Sequence, residues 1–308
     1  MLRPIGAIIG LAVAMAVPIG PSHAQEAVRL EFAPAPGSTY RTVQRIEAGN
    51  QAWVGAHDDR TNMLRRDHTS KTLVTSTRVL QREPDGSTTI EQRMVSEVED
   101  VTQFSARAGE TRSHFDSDHP DPNQPPEVAA FVAEFRSIVE TTTLAPTNEQ
   151  LAYRVEPEGN STSETLALAR SQRSNGTVLI FPPHPVSPGD TWPLAPGTLP
   201  VGNGRIEYPV EATLVAIERR GGRSHALVRA RNGQPVHVKD DENAGPGLSS
   251  LRFDALFEYD MQLKRYVDSR VDIALQLFAL QNGDMLNLEN SIVLRLRDPD
   301  NVGWMIAE

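Results

Sequence analysis

The last third of the chain carries the strictest alternation of apolar and polar positions. In "LRFDALFEYD", Leu251, Phe253, Ala255, Phe257 and Tyr259 fall on one side, and Arg252, Asp254, Glu258 and Asp260 on the other. That is the two-residue period of a half-buried strand. After "MQLKR" it resumes, with Val267, Val271, Ile273, Leu275 and Leu277 opposing Asp268, Arg270, Asp272 and Gln276. "QNGD" (281–284) supplies an Asn-Gly hairpin turn. Leu286, Leu288, Ile292, Leu294 and Leu296 then return against Asn287, Glu289, Ser291, Arg295 and Arg297. Three consecutive strands of this kind predict a meander longer-stranded than the usual ~5–6 residues.

The first third has the same character in weaker form. Strands are predicted at 39–47, 51–66 and 72–82, and the "EPDGS" turn leads into a strand at 88–100. In that last strand Ile90, Met94 and Val98 share one face, opposite Glu91, Arg93, Glu97 and Glu99. Between the two sets, Val128, Phe131, Val132, Phe135, Ile138 and Val139 form one helical stripe after Pro125 and Pro126, predicting a helix over 126–143. A shorter helix is predicted over Ser163–Gln172, with polar loops at 116–126 and 239–247.

A short pattern introduces each set. "PAPGSTY" (34–40) and "PVSPGDTW" (185–192) both place Pro-Gly, a small polar residue and Thr before an aromatic. Followed each time by long strands, they suggest a structural repeat with Gly37 and Gly189 in matching turns and Tyr40 and Trp192 in matching inward positions. The expected fold is mainly β: two antiparallel long-stranded meanders forming a curved sheet or half-barrel, with the helix against its concave side. The halves, 25–180 and 181–308, are expected to form one compact unit.

The N-terminus changes the picture of where this fold works. "MLRPIGAIIGLAVAMAVPIGPSHA" has one charge at Arg3, an apolar run and small residues at Ser22 and Ala24, the layout of a signal peptide spanning 1–24. The expected location is the periplasm or the outside of a bacterial cell, with no stable membrane anchor after cleavage. With no cysteine in the chain, disulfides, thiolate metal sites and cysteine nucleophiles are excluded. The formal charge of −10 becomes −11 once Arg3 is lost (−10 − 1), which disfavours nucleic acid as a partner.

Candidate chemistry is sparse. In "FPPHPVSPGDTWPL", Pro182, Pro183, Pro185 and Pro188 remove amide donors, so the stretch reads as an extended connector. Gly189 and Asp190 make its turn and Trp192 drops into a core; a ligand-stacking role for Trp192 is the alternative. This signature, P-x-x-P-V-x-x-G-D-x-W, resembles an uncharacterised family of exported bacterial proteins and lipoproteins catalogued as domain of unknown function 6263. The resemblance implies export and a duplicated β-rich body, and it assigns no activity or catalytic residue. In layout the chain also resembles periplasmic lipoprotein carriers of the LolA type, an analogy of architecture.

As metal ligands, Asp116, Asp118, Asp121 and Glu127 stand at positions 1, 3, 6 and 12 of a would-be calcium loop. Pro120 at position 5 and an acid where glycine is needed spoil the match. His114 and His119 lack a third ligand nearby for zinc. No nucleophile elbow, His-Glu-x-x-His or phosphate loop is present, so a non-catalytic protein without a cofactor is expected. Three functions follow: an envelope protein holding an apolar ligand between sheet and helix, an interaction or scaffold protein with an envelope partner, and an unrecognised hydrolase.

Overall fold

The computed structural model describes residues 27–56, 59–121, 130, 133–157, 179–201, 204–232, 247–281 and 284–300. The predicted signal peptide, the helix over Ser163–Gln172 and Glu127 lie outside them. The fold is mainly β. The first set of strands is β1 (Thr39–Val54), β2 (Met63–Arg82), β3 (Thr88–Ser105), β4 (Gly109–Asp116), β5 (Ile138–Leu144) and β6 (Gln150–Pro157). The second runs β7 (Thr191–Pro193), β8 (Gly197–Val201), β9 (Gly204–Tyr208), β10 (Glu211–Arg220), β11 (Arg223–Arg231), β12 (Gly247–Asp260), β13 (Arg265–Gln281) and β14 (Asp284–Arg297). Twelve of these form one antiparallel sheet in the order β6-β5-β3-β2-β1-β14-β13-β12-β11-β10-β7, with β4 also on β3; β8 and β9 make a separate hairpin. Among the described residues the sheet is not closed into a barrel, its end strands β6 and β7 being unpaired with one another.

Both sets run across the sheet in the same direction, and the last strand of the second abuts the first strand of the first. The β1–β14 pairing runs from Val43↔Arg297 to Val54↔Leu286, so the sheet is continuous between the halves. The repeat is visible in the backbone. Ala35–Ser38 and Ser187–Asp190 are turns closed by Ser38 N–H to Ala35 O (3.1 Å) and Asp190 N–H to Ser187 O (3.0 Å). Gly37 has φ +79° and Gly189 φ +96°, the value the third residue of a Pro-Gly type II turn requires. Gly37 N–H donates to Val79 O while Val79 N–H donates to Ser38 O; Gly189 N–H donates to Leu214 O while Leu214 N–H donates to Asp190 O. One residue further on, Leu80 and Val215 are each the extra residue of a β-bulge against the next strand. The two copies then diverge: Tyr40 opens a 16-residue central strand, whereas Trp192 sits in a three-residue strand at the sheet edge.

The two halves of the concave face differ. Over β10–β13 the inward side chains Leu214, Val228, Phe253, Ala255 and Tyr259 pack against residues of the N-terminal segment and the proline-rich connector, among them Leu30, Phe32, Leu179, Phe181, Val186 and Trp192. These two crossing segments are joined at Val28 and Val186. Their carbonyls are taken by side-chain donors of the body. Tyr259 Oη donates to Glu31 O (2.5 Å), Tyr266 Oη to Leu179 O (3.2 Å), Asn148 Nδ2 to Leu179 O (2.9 Å) and Trp192 Nε1 to Ile180 O (2.8 Å). Phe181 lies edge-on to Tyr259 (5.1 Å between ring centres) and stacked on Tyr266 (5.3 Å).

Two expectations need correction. The helix over 126–143 does not reach its predicted end: 133–136 are helical, but Ile138–Leu144 is strand β5, paired with β3 and β6. "IVETTTL" is dominated by β-branched residues, which favour a strand, and Ile138 and Val139 continued the helical spacing by coincidence. The strand predicted over 51–66 is two strand ends, 51–54 closing β1 and 63–66 opening β2.

Because no atom stands within 4 Å of a Cβ added at Gly37 or Gly189, alanine there meets backbone strain alone. Gly37→Ala and Gly189→Ala should each lower stability by about 1–2 kcal/mol in urea unfolding. Trp192→Ala, which empties a buried site, should cost roughly 3–5 kcal/mol. Equal stability of Gly189→Ala and the parent would contradict the turn's role.

Candidate functional site

Among the described residues, the other half of the concave face is open. A cleft of about 790 Å³ lies over β1, β2, β3 and β5. Alternation on β1 sends Tyr40, Thr42, Gln44 and Ile46 into it, and the register pairs them with Thr77, Thr75, Leu73 and Lys71 of β2. From β3 come Gln92, Met94 and Glu97, and from β5 Ile138, Thr142 and Leu144. Phe135, in the short helical turn, flanks the cleft. The lining is two-toned: Ile46, Leu73, Met94, Ile138, Leu144 and Leu296 give apolar surface, and Thr42, Gln44, Thr75 and Gln92 add uncharged hydrogen-bonding groups.

Glu97 is in the cleft because of a bulge. Thr75 pairs with Met94 but Val74 with Ser96, leaving Val95 as the extra residue. The bulge reverses the face of everything after it, so Glu97 shares the inward side with Met94 and not, as strict alternation predicts, the outward side with Glu91. Its carboxylate pairs with the Lys71 ammonium. Simple counting missed this residue; no turn residue marks the bulge.

The end of the cleft beside the packed half is made by Phe32, Tyr40, Asn148, Arg265 and Tyr266. The Arg265 guanidinium stacks 3.9 Å from the centre of the Tyr40 ring and bonds Asp298 Oδ2 at 2.5 Å. Burial pushes the phenols of Tyr40 and Tyr266 up, Arg265 opposing the rise at Tyr40, so both stay neutral at physiological pH.

Of the residues singled out from sequence, Trp192 is buried and belongs to the packed half, away from the cleft. Pro185 is exposed, and Asp190 closes its turn by accepting from Ser187 N–H at 2.7 Å. Tyr40 alone among them lines the cleft. The acidic loop is used internally. Asp116 Oδ1 accepts from the backbone N–H of Asp118 (2.8 Å) and His119 (3.1 Å), bonds that hold its carboxyl below the usual range. Asp118 pairs with Arg136, and Asp121 is exposed. His114 pairs with Asp100 at 2.7 Å and His119 with Asp116 at 3.1 Å, so the two histidines serve different acids. Among the described residues no three His, Asp or Glu side chains are grouped to hold a metal.

A second cluster escaped the alternation for a different reason. Glu258, Asp260 and Asp268 lie on the face opposite the core, where polar residues belong, yet each is 0% exposed, and His225 beside them is 1%. His225 Nδ1 is 2.9 Å from Glu258 Oε1 without hydrogen-bond alignment. Asp260 Oδ2 is 2.9 Å from Arg223 Nη1, and Asp268 Oδ2 3.3 Å from Arg297 Nε. Sealed from solvent, these groups are out of reach of a substrate. Their effect is on stability. Burial pushes the Asp268 carboxyl up to about 6, Arg297 and Arg295 pulling it back and Glu258 adding to the rise. Between pH about 4 and 6 the folded protein keeps a proton that the unfolded chain has released, so this group's contribution to stability falls as pH rises through that window. Asp268→Asn should therefore gain about 1 kcal/mol relative to the parent between pH 5 and pH 8 in urea unfolding. Parallel stability curves would show that Asp268 carries no such shift.

No family model and no curated protein matches the chain. Among solved structures it is similar to DynF from the dynemicin biosynthesis pathway of Micromonospora chersina, at 7% identity over 97% of this chain and 95% of that one, TM-score 0.22. An outer membrane channel from Pseudomonas putida F1 matches at 11% identity over 90% and 99%, TM-score 0.28. The β domain of the Bordetella autotransporter BrkA matches at 9% over 85% and 99%, TM-score 0.24. Scores this low carry no argument about fold or function.

Proposed function

We propose that this is an exported, non-catalytic envelope protein that holds an apolar ligand against the open half of its sheet, working in the periplasm or outside the cell. The carrying observation is the unequal filling of one concave face. The protein's own chain packs the β10–β13 half, while the β1–β5 half presents a cleft of about 790 Å³ with apolar walls. That volume is within the range of about 300–1,000 Å³ in which small-molecule sites fall. The signal-peptide layout of residues 1–24 supports export. An outward apolar band, which a membrane-spanning barrel would need, finds no support in the exposed Arg41, Arg45 and Glu47 on the outer side of β1.

Organic extraction of the purified protein followed by mass spectrometry should release a co-purified lipid, and a ligand-free extract would count against the reading. In titrations with single-chain lipids, affinity should rise about fourfold per added methylene until the cleft is full, as expected for ~0.8 kcal/mol per buried CH₂. Leu73→Arg, which places a charge on the cleft wall, should weaken binding at least about tenfold without unfolding the protein. Binding that ignores both chain length and this substitution would place the ligand elsewhere or nowhere.

A further inference from the structure

The charged side chains of the cleft specify its ligand more narrowly than apolar walls do. Lys71 and Glu97 face inward from adjacent strands and neutralise one another across the floor, their side chains only 23% and 14% exposed. Arg265 is held by Asp298, and Arg93 Nε bonds Glu91 Oε1 at 3.1 Å. Glu140 is engaged as well. Lys71, Glu97, Arg93 and Arg265 are thus each paired within the protein, and the uncharged Thr42, Gln44 and Thr75 line the cleft beside the apolar wall.

We infer that the Lys71–Glu97 pair, set into the cleft by the bulge at Val95, makes the site selective for a single-chain amphiphile with an uncharged, hydroxyl-bearing head. The inference rests on the ligand-binding reading above. A carboxylate head entering beside Lys71 meets the Glu97 carboxylate and must displace it or lie unpaired; an ammonium head meets Lys71 in the same way. Either case leaves a charge desolvated without a partner, which costs free energy. A head of hydroxyl groups avoids both. It can accept from the ammonium hydrogens that Glu97 leaves free, donate to the second Glu97 oxygen, and bond Gln44 and Thr75. Lys71 is one of only three lysines in the chain, and its counterion is brought inward by an irregularity in the sheet that the regular ladder would not supply.

The test compares two probes of equal chain length, monododecanoylglycerol and dodecanoate, by calorimetric titration of the mature protein at pH 8, where the acid is ionised. The glyceride should bind the parent about tenfold more tightly than the anion, the worth of a charge-assisted bond. In Glu97→Gln, Lys71 loses its counterion, and dodecanoate should gain about tenfold while the glyceride changes little. If dodecanoate binds the parent as tightly as the glyceride, or if Glu97→Gln leaves their ratio where it was, the selectivity is wrong and lipid binding still stands. If neither probe binds, both fail together. The comparison on the parent protein requires no variant to fold.

Discussion

The structure depends on how the crossing segments are fastened across the concave face. A connector with Pro182, Pro183 and Pro185 has few amide donors and cannot join a sheet as an interior strand. It is fixed from the other side of the hydrogen bond. Asn148 and Tyr266 donate to the Leu179 carbonyl, Trp192 donates to that of Ile180, and Tyr259 fastens the neighbouring segment at Glu31. Buried carbonyls left without donors would each cost on the order of 1–3 kcal/mol, so these side chains make the crossing tolerable. Burial keeps the Tyr259 and Tyr266 phenols protonated, chiefly by desolvation, and a protonated phenol is the form that can donate.

That fastening also decides where the core stops. Phe32 and Tyr266 belong to the packed side and also form the end of the cleft. Everything on one side of them is filled by the crossing segments, and on the other side Thr42, Gln44 and Ile46 of β1, Lys71, Leu73 and Thr75 of β2 and Gln92, Met94 and Glu97 of β3 remain half-buried. Tyr266, which packs on Phe181 and Tyr259 in the core, is therefore also part of the wall of the cleft. Loosening the connector should disturb the cleft's end before its floor, because Lys71 and Glu97 are held by strand pairing, by each other and by Ser117 on the Glu97 backbone.

How much of this was legible in the sequence depended on whether the two-residue period ran undisturbed. It did from Leu251 to Tyr259 and from Leu286 to Leu296, and the hairpins there were read correctly. The period failed at Val95, where one extra residue turned Glu97 inward. A bulge without glycine leaves no mark in composition. It also failed to signal burial at Glu258, Asp260 and Asp268: alternation tells which face a side chain takes, and whether that face is covered depends on tertiary contacts. Ile138 and Val139 were misread because a short apolar run satisfies two periods at once, and only the threonines after it favoured the strand. The Pro-Gly turns were legible because a type II turn needs glycine for steric reasons. The role of Tyr40 in a cleft was hidden, since matching local structure says nothing of what packs on top.

The repeat explains why one surface is open at all. Both copies begin with the same turn, the same pair of backbone bonds and the same bulge, and both aim an aromatic inward. What differs is the material available to cover the next strands. The segments that cross the sheet lie over the second copy, where Trp192 is sealed at 6% exposure, and they end at the edge of the first, where Tyr40 is half-buried under Arg265. Among the described residues, the covering segments lie over one of the two inward faces and leave apolar side chains of the other half-buried. Apolar surface left in contact with water is costly, and polar groups and paired charges are interspersed among those side chains.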